Sequence, residues 1–336
     1  MKPKTPTPNQ SDWRRILAGV IVSLLALFLL FQFFDWDEVV DVLLRAEWVY
    51  LLLVPPVCIL SYILRAIAWR TMLKEAVPLR QVFLTMNTGY LLNNILPFRL
   101  GELGRAVLLG RDGLGFWRVF STILIERAFD LILAAGLLLG TLPFVWDSAH
   151  SGQVALLVGS VVILGLLALY LLARNKEWAI AQFERFVERW PLLSRIGKDR
   201  LEAFLEGLET LTSLGRFLRV LGWMLSSWAL AIVVQYLILR SFFPDAKILY
   251  AAFGLGFSSL GVAVPSSPGY IGVYEAVLVA AYALFDIPTS TAFAHALTAH
   301  LLYIVITGIF GTYGLINSGE SLGQIFERVR NISILG

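Results

Sequence analysis

The sequence predicts an all-α integral membrane protein: six full transmembrane helices plus two re-entrant helical hairpins in an inverted repeat, all within one polytopic domain over residues 1–336. Three observations lead there. First, 58% of the residues are hydrophobic and 15% charged, against about 25% charged in a soluble domain, and the mean hydropathy is +0.75. Second, apolar runs recur at about the 20 residues that a helix needs to cross a bilayer core of roughly 30 Å. Third, two more apolar stretches are interrupted by proline and glycine and return to the side they came from. The net charge of +3 gives no reason to expect a nucleic-acid partner. Cys58, the single cysteine, excludes an intrachain disulfide and a thiolate metal cluster.

The first span reads from Ile16 to Phe34, with Arg14 and Arg15 before it and Asp35, Asp37 and Glu38 after it. Its apolar run is longer than a signal peptide's and no small-x-small cleavage site follows, so a retained anchor is expected. Five further spans read near Trp48–Leu64, Val119–Phe144, Val154–Ala173, Phe217–Phe243 and Thr291–Ile316. Lys and Arg in short loops set orientation. Lys2, Lys4, Arg14 and Arg15, then Arg65, Arg70, Lys74 and Arg80, Arg111 and Arg118, Arg174 and Lys176, and Arg328 and Arg330 mark the cytoplasmic loops, with both termini on that side. The loops Asp35–Glu47, Asp147–His150 and Pro244–Lys247 are expected outside.

Residues Gln81–Gly110 start and finish beside cytoplasmic arginines, so they must enter and return. Pro97 and Gly101 break their centre. Residues Ile248–Phe285 do the same from outside, broken at Pro268, Gly269 and Gly272, with a new helix expected to begin near Gly269. Such backbone at membrane depth is tolerated only where protein or a water-filled cavity satisfies it. Span, hairpin and span over about 48–144 therefore mirror span, hairpin and span over about 217–316, with a cytoplasmic amphipathic linker over 174–216. Inverted repeats of broken helices are a recurrent transporter architecture with a midplane binding site.

Charged groups single out that site. Glu126 and Asp130 lie about 12 and 18 Å along the helix axis from Arg118, where an isolated charge costs about 2.5–3.5 kcal/mol even on a lenient scale. Arg127 and Asp130 are spaced to pair on one helix face. The remaining acid, Glu126, needs a partner from another element, with Arg99 or Arg105 the candidates. Arginines at membrane depth suit a phosphate, which they grip with two donors. Glu102 and Glu275 are read equally well as headgroup or proton-coupling ligands and as caps of new helix starts.

The motifs Asn94-x-x-Pro97-x-Arg99-x-Gly101-Glu102-x-x-Arg105, Glu126-Arg127-x-x-Asp130 and Pro268-Gly269-Tyr270-x-Gly272-x-x-Glu275 resemble the transmembrane (flippase) domain of lysylphosphatidylglycerol synthases and its stand-alone relatives. The resemblance implies a multi-pass cell-membrane protein, bacterial or archaeal, that moves lipid between leaflets, with an archaeal branch linked to dolichol-linked sugar transfer. It adds Asn94 and Tyr270 to the candidate substrate-binding set of Arg99, Glu102, Arg105, Glu126, Arg127, Asp130 and Glu275. The chain as given stops at Gly336, so no aminoacyl-transfer domain is expected.

Other signals are weaker. The linker carries two apolar faces, Phe183, Phe186, Val187 and Trp190, then Leu201, Phe204, Leu205, Leu208 and Leu211; packing on the bundle end competes with lying on an anionic leaflet. Asp35 and Asp37 are where a polyprenyl-phosphate glycosyltransferase could keep a catalytic acid. His295 and His300, about 140° apart round a helix, read as buried hydrogen-bonded side chains and not as a metal pair. GxxxxGK[ST], HExxH and GxSxG motifs are missing from the sequence. The expectation is a lipid translocase for an anionic phospholipid or a polyprenyl- or hopanoid-type lipid, without catalytic residues, metal or cofactor. A membrane glycosyltransferase is the alternative. The expected partners are membrane lipids, a second copy of the chain or a lipid-synthesis enzyme.

Overall fold

The structure, a computed structural model, describes residues 36–96, 99–145, 151–175, 178, 181, 212–262 and 268–334. The expected first span Ile16–Phe34, Asp35, the loop at 147–150 and almost all of the linker lie outside them. The described residues are all-helical: α1 Trp36–Leu44, α2 Trp48–Met72, α3 Leu79–Ile95, α4 Leu100–Leu109, α5 Phe116–Thr141, α6 Ser151–Arg174, α7 Leu214–Phe242, α8 Ile248–Gly261, α9 Val273–Ala283, α10 Thr289–Ser318 and α11 Leu322–Ile334.

Three of these, α2, α7 and α10, are long and apolar enough to cross a bilayer, with mean hydropathies of 2.1, 1.8 and 1.7 over their best windows. Helix α5 matches them in length at 26 residues but carries Arg118, Glu126, Arg127 and Asp130. Large apolar side chains such as Leu52, Leu131, Leu156, Val305 and Ile309 stand exposed on the outer faces, the pattern of a surface solvated by lipid.

Packing follows a two-fold rule. Helices α2 and α7 cross in the most extensive interface; α3 packs on α10 as α8 packs on α5; and α4 lies against α5 as α9 lies against α10. Exchanging α2 with α7, α3 with α8, α4 with α9 and α5 with α10 maps this scheme onto itself. Small residues permit the close crossings on both sides. A Cβ at Gly311 of α10 would sit 2.6 Å from the Asn87 carbonyl oxygen of α3, and one at Gly256 of α8 would sit 3.1 Å from the Ala134 carbonyl oxygen of α5. At the central crossing Ser61 and Ser227 exchange hydroxyl-to-carbonyl hydrogen bonds of 3.0 and 3.1 Å.

Both apolar stretches with internal Pro and Gly are broken helix pairs. The spacing of the breaks is the same, Pro97-x-Arg99-x-Gly101 and Pro268-x-Tyr270-x-Gly272. The middle residue is left-handed in each, with φ of 55° at Arg99 and 58° at Tyr270, a conformation that costs an L-residue about 1–2 kcal/mol. The glycine amide is capped by a side chain in each: Gly101 N–H donates to Asn93 Oδ1 (2.8 Å) and Gly272 N–H to Glu275 Oε2 (2.7 Å).

Three expectations need correction. The second helix of the later hairpin starts at Val273, after a 3-10 turn over Pro268–Tyr270, because Gly269 and Tyr270 both take positive φ. Glu275 accepts from the amide of the N-cap residue Gly272, as its capping reading expects. Helix α2 runs on past Leu64 to Met72, which moves Arg65 from a loop into the helix body. Asp37 lies in the first turn of α1, whose apolar Trp36 and Val39 pack on Phe293 of α10. In addition, α11 buries Ile325 and Val329 against Leu92 of α3 and Val107 and Leu108 of α4.

Candidate functional site

The two breaks meet. The Arg99 guanidinium lies 5.5 Å from the centroid of the Tyr270 ring and donates from Nη2 to the Val262 carbonyl (2.5 Å). One arginine of the first break thus touches the second at Val262, where α8 has ended, and at Tyr270, in the 3-10 turn. Its backbone is left-handed at the start of α4, and its side chain reaches across to the second break.

Behind Arg99 lies an ionic cluster built from three helices. Arg105 of α4 donates to Glu126 Oε2 (2.6 Å) and is 1% exposed, as is Glu126. Its guanidinium stacks 3.9 Å from the Trp69 ring centroid. Gly89 makes the room, since a Cβ there would fall 2.4 Å from Arg105 Cγ. Arg65 of α2 donates from Nε to Glu126 Oε1 (2.8 Å) and from Nη2 to Asp130. Arg127 Nη2 stands 3.2 Å from both Glu126 and Asp130, and its Nε is 3.7 Å from Glu102. Trp228 Nε1 donates to Asp130 Oδ1 (3.2 Å). The cluster holds Arg65, Arg99, Arg105 and Arg127 against Glu102, Glu126 and Asp130, one positive charge in excess.

A cavity opens in front of these groups, between the breaks and the α2–α7 crossing. It has two adjoining lobes of about 310 and 360 Å³ that share Tyr62, Tyr90, Arg99, Glu102, Arg127 and Tyr303, a size suited to a small ligand or headgroup. One lobe adds Arg65, Asp130 and Trp228 and reaches the exposed Leu131. The other adds Asn93, Gln235, Tyr270, Tyr274 and His300.

The sequence-derived residues divide accordingly. Arg99, Glu102, Arg127, Asp130 and Tyr270 line the cavity. Arg105 and Glu126 form the pair behind it, with Arg105 the partner that Glu126 required. Asn94 donates to Thr307 Oγ1 (3.1 Å) and ties α3 to α10, while its neighbour Asn93 faces the cavity. Glu275 both caps Gly272 and sits 2.5 Å from His300 Nδ1. His295 is buried, packed on the Tyr282 ring at 5.0 Å and facing the Gln235 backbone. Sequence reasoning missed Arg65 and the tyrosines; the Arg65–Arg70 spacing looked like a loop, and tyrosines at helical spacing look like core. Among the described residues, no group of three His, Cys, Asp or Glu side chains is gathered as a metal site requires.

Comparison with known proteins identifies the family. Residues 16–311 match the family model described as the lysylphosphatidylglycerol synthase TM region. The chain belongs to that family. Among curated proteins it is 26% identical to glycosyltransferase AglD of Haloferax volcanii, over 93% of this chain and 56% of that protein, so the chain spans little more than half the length of that relative. It is also 23% identical to a UPF0104 membrane protein of Methanothermobacter thermautotrophicus, over 91% of this chain and 96% of the relative. A UPF0104 membrane protein of Methanocaldococcus jannaschii is 26% identical over 66% and 91%. No solved structure matches the chain.

Proposed function

We propose that this member of the lysylphosphatidylglycerol synthase transmembrane family is a translocase that passes an amphipathic lipid with an anionic headgroup between leaflets. The observation that carries the reading is the group of arginines, Arg65, Arg99 and Arg127, that faces a cavity between two broken hairpins. Isolated charges this deep are expensive in a bilayer, which favours a role beyond packing for them. Arg99 and Arg127 present planar donors suited to a phosphodiester. The lipid tails remain among exposed apolar side chains such as Leu131.

In this reading the hairpins α3–α4 and α8–α9 are re-entrant from opposite leaflets, the two-fold packing supplies two mirror-related conformations, and the Lys/Arg-rich loops with both chain ends face the cytoplasm of a bacterial or archaeal plasma membrane. Arg99, touching both sides of the second break, is the contact that must rearrange when the cavity changes sides. Expected partners beyond lipid are a second copy of the chain or a lipid-synthesis enzyme.

The test is fluorescent phosphatidylglycerol flipping in proteoliposomes, wild type beside Arg99→Gln and protein-free vesicles. The reading requires fast flipping in the wild type that falls to the protein-free rate in the variant. Equal rates in all three reject it.

A second reading, sugar transfer from a polyprenyl-phosphate donor, is favoured by the name of the Haloferax relative. The alignment covers 56% of that protein, and Asp37 stands on the exposed side of α1, outside both lobes. Transfer that depends on Asp37, lost in Asp37→Asn while flipping persists, would favour this alternative.

A further inference from the structure

The two-fold packing puts a polar pair at the same junction in each half, between the second hairpin helix and the helix that follows. In the first half it is Arg105 with Glu126, a guanidinium–carboxylate pair at 2.6 Å. In the second half it is Glu275 with His300, at 2.5 Å and buried. His300 lines the cavity. Histidine is the side chain whose charge changes most readily near neutrality.

Charge bookkeeping gives this difference a consequence. The cavity and its backing hold four arginines, Arg65, Arg99, Arg105 and Arg127, and four carboxylates, Glu102, Glu126, Asp130 and Glu275. With His300 neutral, Glu275 of the second half offsets the one positive charge by which the first-half cluster exceeds its acids, and the whole balances. An incoming monoanion would leave one uncompensated negative charge in a low-dielectric space, which is costly. One proton on His300 removes that deficit.

We infer that binding of a monoanionic headgroup in this cavity is coupled to uptake of one proton at His300, so that anion and proton travel together. The inference rests on the translocase reading and adds its coupling ion. With the Glu275 carboxylate as acceptor, His300 Nδ1 carries the hydrogen and Nε2 is the basic atom. A proton from cavity water adds to Nε2, the imidazolium stays paired with Glu275, and the same proton leaves to water when the headgroup departs. No bond other than N–H forms or breaks.

The groups facing the pair are identified from each neighbouring element. Helix α9 contributes Glu275 itself and the Tyr274 ring, 5.0 Å from the His300 ring. Helix α7 contributes Gln235, which donates to the Tyr274 hydroxyl (3.2 Å). Across the cavity stand Cys58 and Tyr62 of α2, Tyr90 and Asn93 of α3, Arg99 and Tyr270 of the breaks, Glu102 of α4, Arg127 of α5 and Tyr303 of α10 itself. Helix α1 turns apolar Trp36 and Val39 to α10, with Asp37, Glu38 and Asp41 on its exposed side.

The experiment measures binding of short-chain phosphatidylglycerol, whose phosphodiester stays singly charged, to the detergent-solubilised full chain between pH 5.5 and 8. Wild-type affinity should weaken as pH rises, by up to tenfold per unit, the limit for one linked proton. His300→Gln should bind weakly with no pH dependence. Glu275→Gln, whose amide oxygen can still cap Gly272, should bind at pH 8 about as tightly as the wild type does at pH 5.5, because the deficit is then removed without a proton. These opposite responses separate coupling from damage, since a merely structural role weakens both variants alike. Wild-type binding that is independent of pH, or a Glu275→Gln variant that keeps the wild-type slope, overturns the inference and leaves the translocase reading standing. No wild-type binding at any pH rejects both.

Discussion

The two halves share a packing plan and differ in what they place at matching points. In the first half the left-handed residue of the break is an arginine, and the junction behind it is an ion pair backed by two more arginines and Asp130. In the second half the left-handed residue is a tyrosine, and the junction is a carboxylate with an imidazole. One half therefore places a guanidinium–carboxylate pair at the junction, and the other an imidazole–carboxylate pair. Pseudo-symmetry thus constrains the backbone and leaves the chemistry free to diverge.

The comparison breaks most sharply at the junctions. Glu126→Ala leaves Arg105 and part of Arg65 without their carboxylate, a loss of about 3–5 kcal/mol for an unpaired buried charge. Glu275→Gln keeps an oxygen for the Gly272 amide and should cost about 1 kcal/mol. Thermal unfolding in detergent ranks them, and equal losses would mean that the junctions are mechanically alike.

The glycines of the breaks come next. A Cβ on Gly101 would lie 1.9 Å from the Gly89 carbonyl oxygen, so Gly101→Ala must push α3 from α4, at about 1–3 kcal/mol of overpacking. Gly272, at φ 83°, should lose about 1–2 kcal/mol as alanine through backbone strain. If the first variant also lowers flipping while the second does not, the α3–α4 approach sets the cavity's shape.

At the left-handed positions the expected effect is functional. Arg99→Lys removes the planar donor pair and should slow flipping about tenfold, equivalent to ~1.4 kcal/mol, with the melting point unchanged. Tyr270→Phe keeps the ring beneath Arg99 and should change the rate about twofold or less, roughly 0.4 kcal/mol. The smallest effect is expected where the halves are most alike. Ser61→Ala and Ser227→Ala should each cost about 0.6 kcal/mol, the typical value for a hydrogen bond between membrane helices, and the two losses should match.

Much of the plan was legible in the residues. The positions of α2, α5, α7 and α10, both breaks, the Arg127–Asp130 pair and the need of Glu126 for a partner follow from apolar length, from Pro and Gly, and from the cost of buried charge. Arg65 was not legible, because loop arginines and helix arginines look alike until the end of α2 is known. The meeting of Arg99 with Tyr270 was hidden for another reason: it joins residues 171 positions apart in the chain, and only tertiary packing brings them together. The Glu275–His300 contact is of the same kind, although both residues had been singled out separately.

The seat of α11 has a practical consequence. Ile325 and Val329 lie against Leu92, Val107 and Leu108, and Glu320, just before this helix, holds Arg111 at 2.6 Å and Arg328 at 2.9 Å. The tail is thus a clasp on the arm that carries Arg99 and Arg105. Trimming it to ease expression, or fusing a bulky reporter close behind Ile334, would loosen that arm from some distance and could be mistaken for a defect in transport.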